Sequence, residues 1–331
     1  MSDYDIHQRS QTESKRDRMT ELSSPSATLS ASQINEEKIL LQAYDYIASV
    51  PGKDMRKKLT LAFNLWLEVE ADVCAKVAEI VMLLHNASLL VDDIEDDSRR
   101  RRGVPSAHRV FGLASTLNTA NYVYFIALEK CLKLGRSSAI EVFSEQLLEL
   151  HRGQGMEIFW RDSLVCPTEE EYELMVKRKT GGLFGLAVRL MQVFSNSTKA
   201  NKDYSKLIGL LGLYFQIRDD YENLQNTDYA KNKTFCEDLS EGKFSFPIIH
   251  AIRKDSNDGR VLGVLRQRTQ DYDLKKYAVS VLESLGSFDY TVARMEKLDA
   301  ECRIEIDLLG GNPYLESLLN ELRTWDRPTP P

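Results

Sequence analysis

Twelve consecutive residues, Val91 to Arg102, read V-D-D-I-E-D-D-S-R-R-R-R: five carboxylates in six positions, then four arginines. On a helix Asp92 and Asp96 stand four residues apart, so they share one face about 6 Å from each other along the axis. Two carboxylates so placed repel unless a cation joins them. Mg²⁺ suits that role, since it takes a few carboxylate oxygens, keeps waters and completes its octahedron with phosphate oxygens. A solvated acidic helix end would by itself explain such a run. A second acidic helix weighs against that: Phe215 to Asn223 reads F-Q-I-R-D-D-Y-E-N, with Asp219 and Asn223 again at i and i+4. It continues Leu207 to Ile217, an uncharged run of eleven residues. Carboxylates at the end of so apolar a helix are costly to bury unless they coordinate a metal or pair with cations. Asp93 and Asp220 are turned by roughly 100° from their neighbours, which places them behind the ligands or toward solvent.

The cations needed to hold phosphate are present in the chain: Lys53 and Arg56 after Pro51-Gly52, Arg101 and Arg102, Lys179-Thr180 before Gly181-Gly182, Lys233, and Lys243. Any one of these lysines is ordinarily a solvated surface charge. Together with the paired acidic helices they predict a diphosphate site. His85, seven residues before Asp92, lies near enough to the acidic face to donate to a phosphate oxygen.

The elements that must position these groups are helices. Of nine prolines, Pro51, Pro105, Pro167, Pro247 and Pro313 punctuate the body of the chain and leave room for long helices between them. Apolar residues recur at spacings of three and four, as in Val73, Val77, Ile80, Val81 and Leu84, and no segment alternates like a strand before a hairpin. The pattern predicts helices over about 35–49, 53–69, 71–97, 113–133, 137–160, 168–195, 201–227, 245–254, 260–285 and 287–324. Thr168 followed by Glu169, Glu170 and Glu171 predicts a capping box. Residues 1–34 read as a disordered, Ser-rich tail, 35–325 as one all-helical domain and 326–331 as a disordered end.

With 43% hydrophobic and 28% charged residues, the 331-residue chain has material for a large core. Its 43 basic and 50 acidic side chains give a net charge of −7, which supplies no electrostatic footprint for nucleic acid and no polybasic membrane patch. Any polyanion must be held locally. Five scattered cysteines without a Cys-x-x-Cys pair indicate neither a disulfide framework nor a zinc site and suit a reducing cytoplasm. Leu207–Ile217 and Phe111–Leu128 are both expected to be buried helix rather than transmembrane segments, since a span needs about 20 predominantly apolar residues.

The chain resembles the trans-isoprenyl diphosphate synthases, and among them the short geranylgeranyl diphosphate synthases of fungi and animals. The resemblance covers about residues 36–320. It is carried by P-G-K-D-M-R from Pro51, H-N-A-S-L-L-V-D-D-I-E-D from His85, R-R-G-V-P from Arg101, K-R-K-T-G-G-L-F from Lys177, F-Q-I-R-D-D-Y-E-N from Phe215, and C-E-D-L-S-E-G-K-F-S-F-P-I from Cys236. It implies an all-α isoprenoid synthase-type helical bundle around a central cavity, working as a homodimer or an assembly of dimers. Asp92, Asp96 and Asp219 would hold Mg²⁺, three ions per active site. Catalysis would rest on those aspartates and Lys179. Arg101, Lys179, Thr180, Gln216, Asn223, Lys233 and Lys243 would bind the allylic diphosphate. Lys53, Arg56, His85 and Arg102 would bind isopentenyl diphosphate. Glu157 stands where the family commonly has Asp and is not counted as a ligand.

The growing chain would run back along the first acidic helix, past Ala87 and Ser88. Both are small where members that stop at fifteen carbons usually carry an aromatic. The next floor would be Tyr124, Phe125 and His151, which gives geranylgeranyl diphosphate, of twenty carbons, as the expected product. Farnesyl and geranylfarnesyl diphosphate are the neighbouring products. A class I terpene cyclase should carry an Asn-Ser-Glu type second motif, and a non-catalytic regulatory subunit should have lost an acidic motif; Asp219-Asp220-Tyr221-Glu222-Asn223 speaks against both.

Overall fold

The computed structural model describes residues 31–52, 55–225 and 235–323. The chain divides after Leu41 into two units. Within the first, the described part is α1 (Ala31–Leu40), extended by the Leu41 N–H donating to Glu37 O at 3.0 Å. Its first four residues were expected in the tail; residues 1–30 and 326–331 lie outside the described residues.

The second unit holds α2 (Gln42–Ala48), α3 (Met55–Leu67), α4 (Ala71–Glu95), β1 (Arg100–Arg101), β2 (Val104–Pro105), α5 (Ala107–Phe111), α6 (Leu113–Leu132), α7 (Ser137–Ser163) and α8 (Glu169–Phe194). It continues with α9 (Ser205–Gln225), α10 (Glu237–Glu241), α11 (Phe246–Lys254), α12 (Arg260–Leu265), α13 (Tyr272–Ser284), α14 (Ser287–Leu308) and α15 (Pro313–Leu322). This is the all-α bundle that the apolar spacing predicts. At its centre α8 packs against α3, α4, α7, α9 and α11, and its residues Gly181 to Val188 are all buried. α9 buries Leu207, Leu211, Leu213, Tyr214 and Ile217, as its uncharged run requires.

Local chemistry explains most helix ends. Thr168 Oγ1 accepts from Glu171 N at 3.1 Å while Glu171 Oε2 accepts from Thr168 N at 2.8 Å, so the capping box forms. Two long predicted helices are broken. The segment 260–285 becomes α12 and α13 because Arg268 turns left-handed, at φ 45°, and Asp271 caps α13 by accepting from Leu274 N. The segment 287–324 becomes α14 and α15 at Gly310 and Gly311, both at positive φ, followed by Asn312, whose Oδ1 accepts from Tyr314 N and Leu315 N, with Pro313 opening the next helix. These are strong stop and start signals that apolar periodicity alone overrode. The expected helix 35–49 is likewise two, meeting at Leu41.

The Phe111–Leu128 run is only partly buried, contrary to expectation. Ala120, Val123 and Ala127 are enclosed, whereas Leu113, Leu117 and Phe125, with Leu132 beyond, expose one apolar face of α6. α4 is the one described helix long and apolar enough to cross a membrane by length and composition; it packs on α3, α6 and α8 as a core helix of the bundle.

Candidate active site

α4 carries the first acidic motif on its last turn, with Asp96 as its C-cap residue. A short hairpin follows, pairing Arg100 with Pro105 and Arg101 with Val104. Its turn residues Arg102 and Gly103 both take positive φ, 53° and 84°, as a tight two-residue hairpin requires. The hairpin folds the arginines back over the helix end. Arg101 Nε reaches Asp93 Oδ1 at 2.7 Å and its Nη2 reaches Asp92 Oδ2 at 3.1 Å. Arg102 Nη1 donates to Ile47 O and Val50 O, at 3.1 and 3.0 Å.

α8 supplies Lys179 and Thr180, and α9 supplies Gln216, Asp219 and Asn223. The two glycines after Thr180 let the helices approach closely. A Cβ on Gly212 of α9 would lie 3.1 Å from the Gly181 Cα, so the pair sets the distance between the helices. Lys179 Nζ donates to Asp92 Oδ1 at 3.2 Å and to Glu157 Oε2 at 2.5 Å. Lys243, between α10 and α11, lies 2.5 Å from Asp96 Oδ2. Thr180 Oγ1 donates to Gln216 Oε1 at 2.9 Å. Between these helices is a cavity of about 40 Å³, lined by Glu157, Lys179, Gln216, Asp219, Asp238 and Lys243 among others.

The charge balance is set by burial and its compensation. Burial pushes Asp92 upward, but Lys179, Lys243 and Arg101 outweigh it and hold the carboxyl well below the usual range. Burial lowers Lys243, but Asp96, Glu241 and Asp92 prevail and hold its ammonium well above the usual range. The lysines therefore remain cationic donors at the cavity wall. Asp220 is buried beside Asp219 on the same cavity and accepts from Tyr172 Oη at 2.6 Å, Gln216 Nε2 at 2.9 Å and Phe246 N at 2.8 Å. Burial pushes it up to about 6 against those three donors. Asp93 is buried too, bonded to Arg101, so neither of these turned aspartates faces solvent.

A second cationic group lies at Arg56, His85 and Arg102. Arg56 Nη1 stands 3.0 Å from His85 Nε2. A guanidinium only donates, so Nε2 is the acceptor and the ring proton is on Nδ1. Burial, then Arg56, Arg102 and Arg101, push His85 well below its ordinary 6.5. Between the two pKa values the unfolded chain takes a proton that the folded chain refuses, so stability falls as pH drops below about 6.5. We expect His85→Gln to flatten that acid limb, read by urea denaturation across pH; an unchanged slope would show that His85 is not buried neutral.

Mg²⁺ fits the donor set. Among the described residues no three Asp, Glu, His or Cys side chains converge tightly enough to hold a cation alone. Asp219 lines the cavity, and Asp92 and Asp96 stand behind its lining lysines Lys179 and Lys243; hard oxygen donors beside cationic ones suit an ion that shares its octahedron with phosphate.

The polyprenyl synthetase family model matches residues 37–282. The chain belongs to the polyprenyl synthetase family. Its all-α fold is that of the isoprenoid synthases, and the family is generally Mg²⁺-dependent. It is 58% identical over 288 residues to a protein named terpene synthase from Matsumurasca onukii, covering 87% of this chain and 94% of that one. It is 53% identical over 287 residues to the geranylgeranyl pyrophosphate synthase of Mucor circinelloides f. lusitanicus, again covering 87% and 94%. To geranylgeranyl pyrophosphate synthase spyE of Aspergillus fumigatus it is 50% identical over 303 residues, covering 91% and 84%.

In this synthetase-family chain the structure brings together Asp92, Asp96, Arg101, Lys179 and Lys243 through ion pairs; Gln216 and Asp219 line the cavity with the two lysines, and Thr180 is bonded to Gln216. Lys53 and Lys233 lie outside the described residues. Asn223 is buried, and its Oδ1 accepts from Asp238 N at 3.2 Å, so here it anchors the start of α10. Ala87 has no exposed surface, while Ser88 is half-buried with its Oγ donating to His85 O. The rings of Tyr124 and His151 lie 6.0 Å apart and tilted by 53°, but Phe125 is 68% exposed, because adjacent helical residues point about 100° apart. Sequence reading missed Gln154, which donates to Asp92 Oδ1 and Glu95 Oε2, and Arg161, which donates to Asp96. Nothing in their spacing singles them out, since their partners are about 60 residues away.

Proposed function

We propose that this chain condenses isopentenyl diphosphate with five-, ten- and fifteen-carbon allylic diphosphates to give geranylgeranyl diphosphate. The observation that carries the reading is one cavity lined by Asp219, Lys179 and Lys243, whose two lysines are ion-paired to Asp92 and Asp96 of the facing helix. Asp92, Asp96 and Asp219 would hold Mg²⁺, three ions in this reading. Mg²⁺, when bound, neutralises charge on the departing diphosphate. Lys179 and Lys243 exchange their carboxylate partners for diphosphate oxygens and donate where charge grows as the allylic C–O bond ionises. Thr180 and Gln216, already bonded to each other, orient that diphosphate from the α8–α9 seam. Arg56, His85 and Arg102 hold isopentenyl diphosphate so that its double bond meets the allylic cation. Carbon–carbon bond formation leaves a proton to be lost, which the released diphosphate accepts.

A second reading, a terpene synthase, is favoured by the name of the relative at 58% identity. The test is to incubate the protein with isopentenyl diphosphate and each allylic diphosphate, with and without Mg²⁺, and to chromatograph products before and after phosphatase. A Mg²⁺-dependent twenty-carbon alcohol seen only after phosphatase supports the synthase. A hydrocarbon seen without phosphatase supports the terpene synthase, and no elongation sinks the condensation chemistry.

A homodimer is part of this reading. Leu113, Leu117, Phe125 and Leu132 on α6 are exposed, as are Leu148, Met156 and Phe159 on the adjoining α7. So large an apolar face calls for a partner, and a second copy is the partner always at hand. Leu132→Glu should weaken the dimer by about 2 kcal/mol, roughly thirtyfold in Kd, seen by sedimentation. A monomeric unsubstituted protein would contradict the proposal. The cytoplasmic placement is supported by the five free cysteines, four of them buried.

A further inference from the structure

Asp96 presents its two oxygens to two cations of different kinds. Oδ2 faces Lys243 on the cavity wall, and Oδ1 accepts from Arg161 Nη1 at 2.6 Å. Arg161 sits in the last turn of α7, where the helix dipole favours a cation, and it is 5% exposed. Its Nε donates to Asp162 Oδ1 at 3.0 Å. The same oxygen accepts from Arg268 Nη2 at 2.7 Å. Arg268 belongs to the turn between α12 and α13 and also packs on Gly242, where a Cβ would come within 3.2 Å of its Nε. Gly242 directly precedes Lys243. A chain of charge therefore runs from an exposed turn through Arg268, Asp162 and Arg161 to one oxygen of Asp96.

The two cations differ in what they can do. The Arg161 guanidinium is planar, permanently charged and braced from behind, whereas an ammonium on a four-carbon stem can leave one partner for another. We propose that Arg161 is the positioning residue of Asp96: by holding Oδ1 it leaves Oδ2 alone on the side of Lys243, whose ammonium lines the cavity, and Asp162 and Arg268 hold Arg161 in that pose. Asp96 is then a one-oxygen ligand, and Lys243 is the cation that moves off it when a diphosphate arrives. The inference rests on the reading of Asp96 as a metal-holding carboxylate and adds the residues that aim it.

The test measures binding by the full-length protein rather than turnover alone. Inorganic diphosphate is titrated calorimetrically at a series of Mg²⁺ concentrations, and KM for isopentenyl diphosphate is measured alongside. Arg161→Met should raise the Mg²⁺ needed for half-maximal diphosphate binding about tenfold or more, the usual scale for loss of an outer partner of a metal ligand. Asp162→Asn and Arg268→Ala should each raise it about threefold, and Arg268→Ala should add nothing to Arg161→Met, since Arg268 acts through Arg161. KM for isopentenyl diphosphate should stay within about twofold, because Arg56, His85 and Arg102 form a separate group. Unchanged Mg²⁺ dependence in Arg161→Met, or full additivity with Arg268→Ala, overturns the proposal. Should Arg161→Met fail to fold, unchanged Mg²⁺ dependence in both Asp162→Asn and Arg268→Ala overturns it. Asp96→Asn separates the two readings: no loss of Mg²⁺-dependent binding there removes the metal role of Asp96 and this inference with it, whereas a loss there with none in Arg161→Met removes this inference alone.

Discussion

Asp92→Ala and Asp219→Ala are each expected to lower kcat/KM by about a thousandfold or more, roughly 4 kcal/mol of transition-state stabilisation. Asp92 pairs with Lys179 and Arg101 and accepts from Gln154, so truncating it leaves Lys179 to Glu157 and Arg101 to Asp93 and loses charged hydrogen bonds, at about 1.5–3 kcal/mol. Asp92→Asn keeps an acceptor for those donors while removing the charge. It should lose activity as severely as Asp92→Ala with less loss of stability. Steady-state kinetics with circular dichroism on all three variants decides the matter: near-normal turnover in folded Asp92→Asn and Asp219→Ala would remove the metal-assisted reading.

Ser88→Phe is expected to shift the main product from twenty to fifteen carbons. The sequence nominates both Ala87 and Ser88 as small residues behind the acidic motif, and the structure separates them. Ala87 is wholly enclosed, so a phenyl ring there overpacks the bundle at a cost of about 1–3 kcal/mol before it can act on any substrate. Ser88 is half-buried one position on, and Phe in its place can turn toward the path of a growing chain. Chromatography of the dephosphorylated products from both variants tests this. Unchanged chain length in a folded Ser88→Phe would show that the tail takes another route, and the contact of Tyr124 with His151 would lose its reading as the next floor.

Much of the helical frame was legible because its signals are local. A 3.6-residue apolar repeat, a capping box at Thr168 and a proline after Cys166 need no knowledge of distant contacts, and α4, α6, α8 and α11 begin and end close to where those signals put them. The breaks at Arg268 and at Gly310-Gly311 were missed because apolar residues resume at spacings of three and four beyond them, although the buried stripe changes face at each break. The exposed face of α6 was read as buried because hydrophobicity shows that a residue wants a partner without showing where the partner is.

The sequence alone determined which residues could carry the chemistry. Two carboxylates at i and i+4 share a helix face wherever that helix goes, and the acidic, basic and glycine motifs occur in an order that marks the family. The tertiary structure decided which cation meets which carboxylate. Lys179 reaches Asp92 across 87 positions, Lys243 reaches Asp96 across 147, and Arg161 takes the other Asp96 oxygen across 65. Those pairings depend on how closely helices approach, which glycines such as Gly181 and Gly212 permit, and on a two-residue hairpin turn that folds Arg101 back over its own helix. Helical phase is a property of neighbouring residues, whereas ion pairing in a buried site is settled by packing between segments far apart in the chain.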